Sequence, residues 1–136
     1  SNTYIADCVE GICRALQRPE ASVGQTFNIG GGSQPTNIEV VQHLCATLDE
    51  LRPNSPHAPH SKLMKFVPDR PGHDRRYAID ITKIQNTLGW QPRQSLGSGL
   101  QKTVEWYLSH TAWVKSVREQ REYQKWLDKN YANRTK

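Results

Sequence analysis

Apolar residues recur at three- and four-residue steps in several stretches of the chain, the spacing of one face of an α-helix. Ile5, Cys8, Val9, Ile12 and Leu16 set a helix over 5–17, which Pro19 stops. Thr36 and Glu39 form a capping box, with a helix running on to about Leu51 and Val41, Leu44, Cys45, Leu48 and Leu51 on one face. Asp80 is placed to cap a helix over 81–88; Gly89 offers a left-handed end and Pro92 follows. Ser95 starts a further helix that turns Leu96, Leu100, Val104 and Leu108 inward. The rest, from Trp113 to about Tyr131, reads as one or two helices anchored by Trp113, Val117, Trp126 and Leu127. Short strands are predicted over 26–29, 64–67 and 76–79, and a Pro-rich loop over 53–61. The expectation is an α/β chain of α+β-like character, mostly helical with a few short strands. Because the elements do not alternate as a regular βαβ series, a complete doubly wound sheet is not expected.

Composition qualifies this picture. Only 35% of the 136 residues are hydrophobic and the mean hydropathy is −0.77. Such a chain forms a core only from its periodic segments, and it suits exposed helices or a surface built to meet another domain. The net charge is +5. A basic balance admits nucleic acid, an anionic membrane surface or a phosphorylated ligand. Part of the excess lies between Lys115 and Lys136, the pattern of a solvated helix face. Cys8, Cys13 and Cys45 form no C-x-x-C pair and fall at apolar helical positions, so buried reduced thiols in a cytoplasmic protein are expected. No run is long enough to span a bilayer, and no signal peptide is recognised.

Two segments carry candidate chemistry. In Asp69-Arg70-Pro71-Gly72-His73-Asp74-Arg75-Arg76, guanidinium forks match phosphate oxygens in pairs, and Pro-Gly lets a backbone approach a ligand. A charged surface turn whose arginines pair with local acids has the same composition. The second is the helix start at Thr36-Asn37, where free N–H groups and the dipole favour an anion and the Gly30-Gly31-Gly32 run leaves room. An ordinary capped helix fits equally. His57 and His60 have the H-x-x-H spacing but no partnering Cys or acid nearby, so no metal is assigned. The sequence holds no G-x-G-x-x-G, no P-loop and no Tyr followed four residues on by Lys. No catalytic residue is assigned either.

Tyr4-Ile5-Ala6-Asp7, Phe27-Asn28-Ile29-Gly30-Gly31, the run from Asp69 through Tyr77-Ala78-Ile79-Asp80, and Leu88-Gly89-Trp90-Gln91-Pro92 together resemble one family. They are similar to the C-terminal third of extended short-chain dehydrogenase/reductases acting on nucleotide sugars. The Asp69–Asp80 run is the most specific, and is similar to the dTDP-glucose 4,6-dehydratase family. Thr103-Val104-Glu105-Trp106-Tyr107 and Trp126-Leu127-Asp128-Lys129-Asn130-Tyr131 fit the same family.

The resemblance implies that residues 1–136 are a substrate-binding domain without the NAD-binding Rossmann half. It implies dTDP-glucose contacts from Asn37, Asp69, Arg70, Pro71, Gly72, His73 and Tyr131. NAD and the catalytic groups would belong to the other half, leaving this portion inactive alone. The parent would be a homodimeric lyase forming dTDP-4-keto-6-deoxyglucose on the way to rhamnose and related sugars, and this portion a monomer. A sister epimerase or decarboxylase on UDP- or GDP-sugars is the enzymatic alternative. A basic nucleic-acid-binding module is the alternative of another class, but no single-face basic stripe supports it.

Overall fold

The computed structural model describes residues 2–68, 72, 74 and 76–131, with only the backbone of Tyr131. Among these residues the chain forms seven α-helices: α1 (Ile5–Gln17), α2 (Pro19–Ser22), α3 (Asn37–Leu51), α4 (Thr82–Leu88), α5 (Leu96–Ser109), α6 (Thr111–Arg118) and α7 (Arg121–Tyr131). A 3₁₀ turn, His60–Leu63, lies between α3 and α4. The mostly helical expectation holds. The predicted strands over 26–29, 64–67 and 76–79 run as non-helical chain with no ladder among the described residues. One antiparallel bridge, Thr36 to Arg76, is the only pairing there. Alternation and β-branching predict an extended segment, but a strand also needs a neighbour's N–H and C=O groups.

The core is small and is built around Trp90, which is fully buried among Ile84 and Leu88 of α4. Phe27, Ile29, Ala15, Ala21 and Ile81 pack on its margin. Local chemistry puts Trp90 there. Helix α4 ends at Leu88, and Gly89 takes φ +64°, the left-handed turn that favours glycine. The chain thereby reverses, and the next side chain drops beneath the helix it has just left. The indole Nε1–H donates to the carbonyl of Asp7 at 3.0 Å, satisfying its one polar atom. Gly11 gives the ring its space. A Cβ there would lie 3.3 Å from Trp90 and 2.9 Å from Ile29 Cδ1.

Helix α1 meets this core with its polar and small face, contrary to the simplest reading of its pattern. Asp7 is buried, and its Oδ2 accepts from the Gln94 N–H at 3.0 Å. Glu10 Oε1 accepts from Arg14 and Arg93, both at 2.9 Å. Arg14 donates to the Gly89 carbonyl at 2.7 Å and Arg18 to the Thr87 carbonyl at 3.2 Å. These cations occupy the C-terminal end of α4, where carbonyls lack partners and the dipole is negative. The apolar stripe turns outward, with Ile5 68%, Val9 49%, Ile12 51% and Leu16 75% exposed. Of the three cysteines expected inside, Cys45 is buried, Cys8 half-buried and Cys13 exposed.

Helices α3 and α5 pack on each other, with Cys45 and Val104 buried. The 3₁₀ turn is tied to α3 by one carboxylate: Asp49 Oδ1 accepts from the His60 N–H at 2.9 Å and lies 2.5 Å from His60 Nδ1. His60 is thus a buried, partnered side chain. A ring cluster joins α5 to α6, with Trp106 stacked on His110 at 4.3 Å and edge-on to Trp113 at 5.1 Å.

Replacing Trp90 by Ala is expected to cost about 3–5 kcal/mol, the range for emptying a large aromatic site. Trp90→Phe keeps most of the volume and loses about 1 kcal/mol through the hydrogen bond. Urea unfolding of the two variants beside the parent chain measures both.

Candidate functional site

The helix start is built as its sequence predicts. Thr36 precedes α3 in an extended conformation, and its Oγ1 accepts from the Glu39 N–H at 3.4 Å. Glu39 Oε2 in turn accepts from the Thr36 N–H at 2.6 Å and from its hydroxyl at 2.7 Å. Asn37 therefore begins the first helical turn with an exposed side chain, at the end where N–H groups lack helical acceptors and the dipole is positive. The two bonds from Thr36 hold the Glu39 carboxyl below its ordinary value, with the charges of Arg76 and His43 adding to the effect.

The basic run meets this helix start at its downstream end. The Thr36–Arg76 bridge seats Arg76 beside the cap of α3. Beyond it, the Asn28 amide Nδ2 donates to the Asp80 carbonyl at 3.2 Å, holding the 77–80 segment to the 26–29 segment. Asp80 Oδ1 then accepts from the Thr82 N–H at 2.9 Å and hydroxyl at 2.6 Å, which starts α4 and lowers the Asp80 carboxyl pKa. The helix begins at Thr82, one residue later than predicted, because Asp80 caps from two residues upstream. Gly72 has φ +71°, the left-handed backbone expected of a Pro-Gly turn. Asp69, Arg70, Pro71 and His73 lie outside the described residues. Tyr131 is the last residue of α7.

Arg76 belongs to the basic run but not to the contact residues that the family resemblance implies. Its cross-chain pairing leaves no periodic signal, since the two partners lie forty residues apart. A Cβ on Gly31 would stand 2.1 Å from the Asn2 carbonyl oxygen, so Gly31 is bare because the Asn2 backbone crosses it, whereas a Cβ on Gly32 would meet nothing nearer than Pro92 at 3.9 Å. The space beside Gly31 is filled by backbone. The glycine run is separated from α3 by residues 33–36, unlike a dinucleotide-binding glycine turn, which opens directly into its helix.

A recess of about 600 Å³ lies at the other end of α3, bordered by Leu48, Leu51, Arg52, Pro56, His60 and Leu108. Neither Asn37 nor Gly72 borders it. With His60 committed to Asp49, no group of three His, Cys, Asp or Glu is arranged for a metal among the described residues. No helix among them is long and apolar enough to cross a membrane.

The sequence profile of the family described as GDP-mannose 4,6 dehydratase matches residues 2–103. dTDP-glucose 4,6-dehydratase 1 of Escherichia coli K12 is 47% identical over 128 residues, covering 93% of this chain and 35% of the relative. The dTDP-glucose 4,6-dehydratase of Neisseria gonorrhoeae is 51% identical over 106 residues, covering 75% of this chain and 31% of the relative. Among solved structures, dTDP-glucose 4,6-dehydratase from Bacillus anthracis in complex with NAD is similar, with a TM-score of 0.56 and 36% identity. That likeness covers 77% of this chain and 31% of the other. The chain spans about a third of the length of the curated relatives it matches.

Three carboxylates are held below their ordinary values by hydrogen bonds: Glu39 by Thr36, Asp49 by His60 and Asp80 by Thr82. A lowered folded value means the folded state prefers the ionised form. Their stabilisation is therefore complete above about pH 4.5 for Glu39 and 3.8 for Asp49 and Asp80, and is lost as pH falls through the lowered values. Urea midpoints from pH 7 to pH 3 are expected to fall along that limb, and Glu39→Gln to flatten it. At pH 7, Thr36→Ala is expected to cost about 1 kcal/mol through the lost cap.

Proposed function

Because this chain belongs to the GDP-mannose 4,6-dehydratase family, we propose that residues 1–136 are the C-terminal, sugar-nucleotide-binding portion of a dTDP-glucose 4,6-dehydratase. The curated relatives named above carry that activity in their names. The observation that carries the reading is the Thr36–Arg76 bridge, which joins the helix start bearing Asn37 to the basic run. An exposed amide on a positive helix end and a guanidinium-rich loop leading to it suit a sugar diphosphate.

In this reading Arg70 and His73 donate charge-assisted hydrogen bonds to the diphosphate and nucleotide. Asp69 accepts from sugar hydroxyls or orients Arg70. Pro71 and Gly72 let the backbone come close, Asn37 adds a further polar contact, and Tyr131 closes over the sugar from the end of α7. NAD, seen with the Bacillus anthracis protein, would supply hydride chemistry from elsewhere in the parent polypeptide. This portion binds and orients the substrate, which lowers the barrier by holding the reacting carbon in place. Without the rest it is expected to turn nothing over.

The family description names a GDP-sugar, and the base is the feature by which the two readings differ. An NMR titration of the chain with dTDP, GDP and UDP separates them, dTDP being expected to shift the most resonances. Arg70→Ala is expected to weaken dTDP binding about 10- to 100-fold, the loss of a charge-assisted bond. No shift with dTDP at millimolar concentration would refute binding by this portion alone, and tighter binding of GDP would move the assignment to the GDP-sugar branch.

A further inference from the structure

Helix α1 is inverted with respect to the chain it belongs to. Its charged residues, Asp7, Glu10 and Arg14, all engage the Trp90 turn and its flanks, through Gln94, Arg93 and the Gly89 carbonyl. The opposite face shows Ile5, Val9, Ile12 and Leu16 to solvent and carries no charge. This stripe does not stop at the helix end. Ile5 borders the same groove, of about 440 Å³, as Tyr4, Lys102, Trp106, Tyr107 and Trp113. The three aromatic side chains of α5 and α6 are 41%, 50% and 48% exposed. Stripe and groove therefore form one apolar band from Leu16 to Trp113.

Seven large side chains, each roughly half exposed, leave on the order of 700 Å² of surface open, given the area such groups bury when covered. The largest apolar patch of an ordinary monomer is about 300–600 Å², whereas interfaces between domains of one chain run to about 600–1,500 Å². The α1 stripe is uncharged and the groove holds one cation, Lys102 over the Tyr4 ring, so the band suits an apolar protein surface and offers an anionic polymer no basic cluster. A second copy of the chain would meet the band with a molecule of like net charge, +5. The relatives, in contrast, carry roughly two-thirds of their length outside the region matched by this chain.

We infer that the Leu16–Trp113 band is the seam on which the remaining two-thirds of a dehydratase-length polypeptide packs. The inference rests on the reading of this chain as a portion of such an enzyme. Because α1 is held to the core only through its other face, the seam is complete in shape before it is covered. The rest of the polypeptide would thereby grip the same helix whose inner side holds Trp90.

The test grafts the whole chain in place of the matched 128-residue segment of the Escherichia coli K12 relative, with and without the pair Ile12→Lys and Leu16→Lys, both exposed and outside the Trp90 core. The same pair is made in the chain by itself. In the graft the pair is expected to lower the urea midpoint by about 1 M or more, because two charges enter a dry seam. In the chain alone the midpoint and the helical circular dichroism should not change. As a second readout, the exposed Cys13 beside the stripe should be alkylated at least about tenfold more slowly in the graft, as expected of a thiol that loses access.

Equal effects of the pair in both settings would overturn the inference, as would a parent graft that fails to fold. So would a chain that sediments alone as a dimer and becomes monomeric with the pair, or one that binds anionic vesicles only without it. A graft that folds, depends on the band and yet shows no dTDP binding keeps the seam and refutes the substrate reading instead.

Discussion

The burial of Trp90 beneath α4 is the contact on which the arrangement of this chain depends. One ring brings together the left-handed turn at Gly89, the bare backbone at Gly11 and the Asp7 carbonyl. It couples α1 to α4 across more than eighty residues of sequence. The polar bonds around it, from Arg14, Arg18, Arg93 and Gln94, follow from that approach. Those from Arg14 and Arg18 neutralise the end of α4, and those from Arg93 and Gln94 to Glu10 and Asp7 fix the rotation of α1. Among the described residues, the buried apolar side chains outside this cluster are Cys45 and Val104, on α3 and α5.

The α1–α4 unit also places the chemistry. Asp80, which starts α4, closes the segment that begins at Arg76, and Arg76 is bridged to the cap of α3. The exposed Asn37 and the downstream end of the basic run are thus held in one place by two short-range capping motifs and one backbone pairing. Capping motifs suit this task, because they define a helix end to within a residue and leave the first-turn N–H groups facing outward. The sugar-nucleotide reading uses only this feature of the fold together with the identity of the loop residues.

The outward stripe of α1 and the aromatic groove beside it change how the low hydrophobic content is understood. The chain does not lack apolar side chains in its first helix; it presents them on the side away from its own core. In a sequence poor in apolar residues, seven of the large exposed ones gather along one band. The two faces of α1 divide the work: polar bonds lock it to the Trp90 turn, and the apolar side is left for a neighbour.

Local patterns alone were enough to locate every helix but α2, which begins at the proline expected to end α1, and also the capping box at Thr36, the turn at Gly89 and the family likeness, since each depends on side chains within a few residues of one another. The mostly helical class followed from the same signals. Other features were settled only when distant segments met. These include which face of α1 turns inward, the bridge from Thr36 to Arg76, the contact that makes Gly31 bare, and the bond that makes His60 a structural group rather than a ligand. Periodicity reports that a helix has two faces but carries no information about what lies against either one. A strand predicted from its own residues likewise becomes a strand only if another segment supplies its hydrogen bonds.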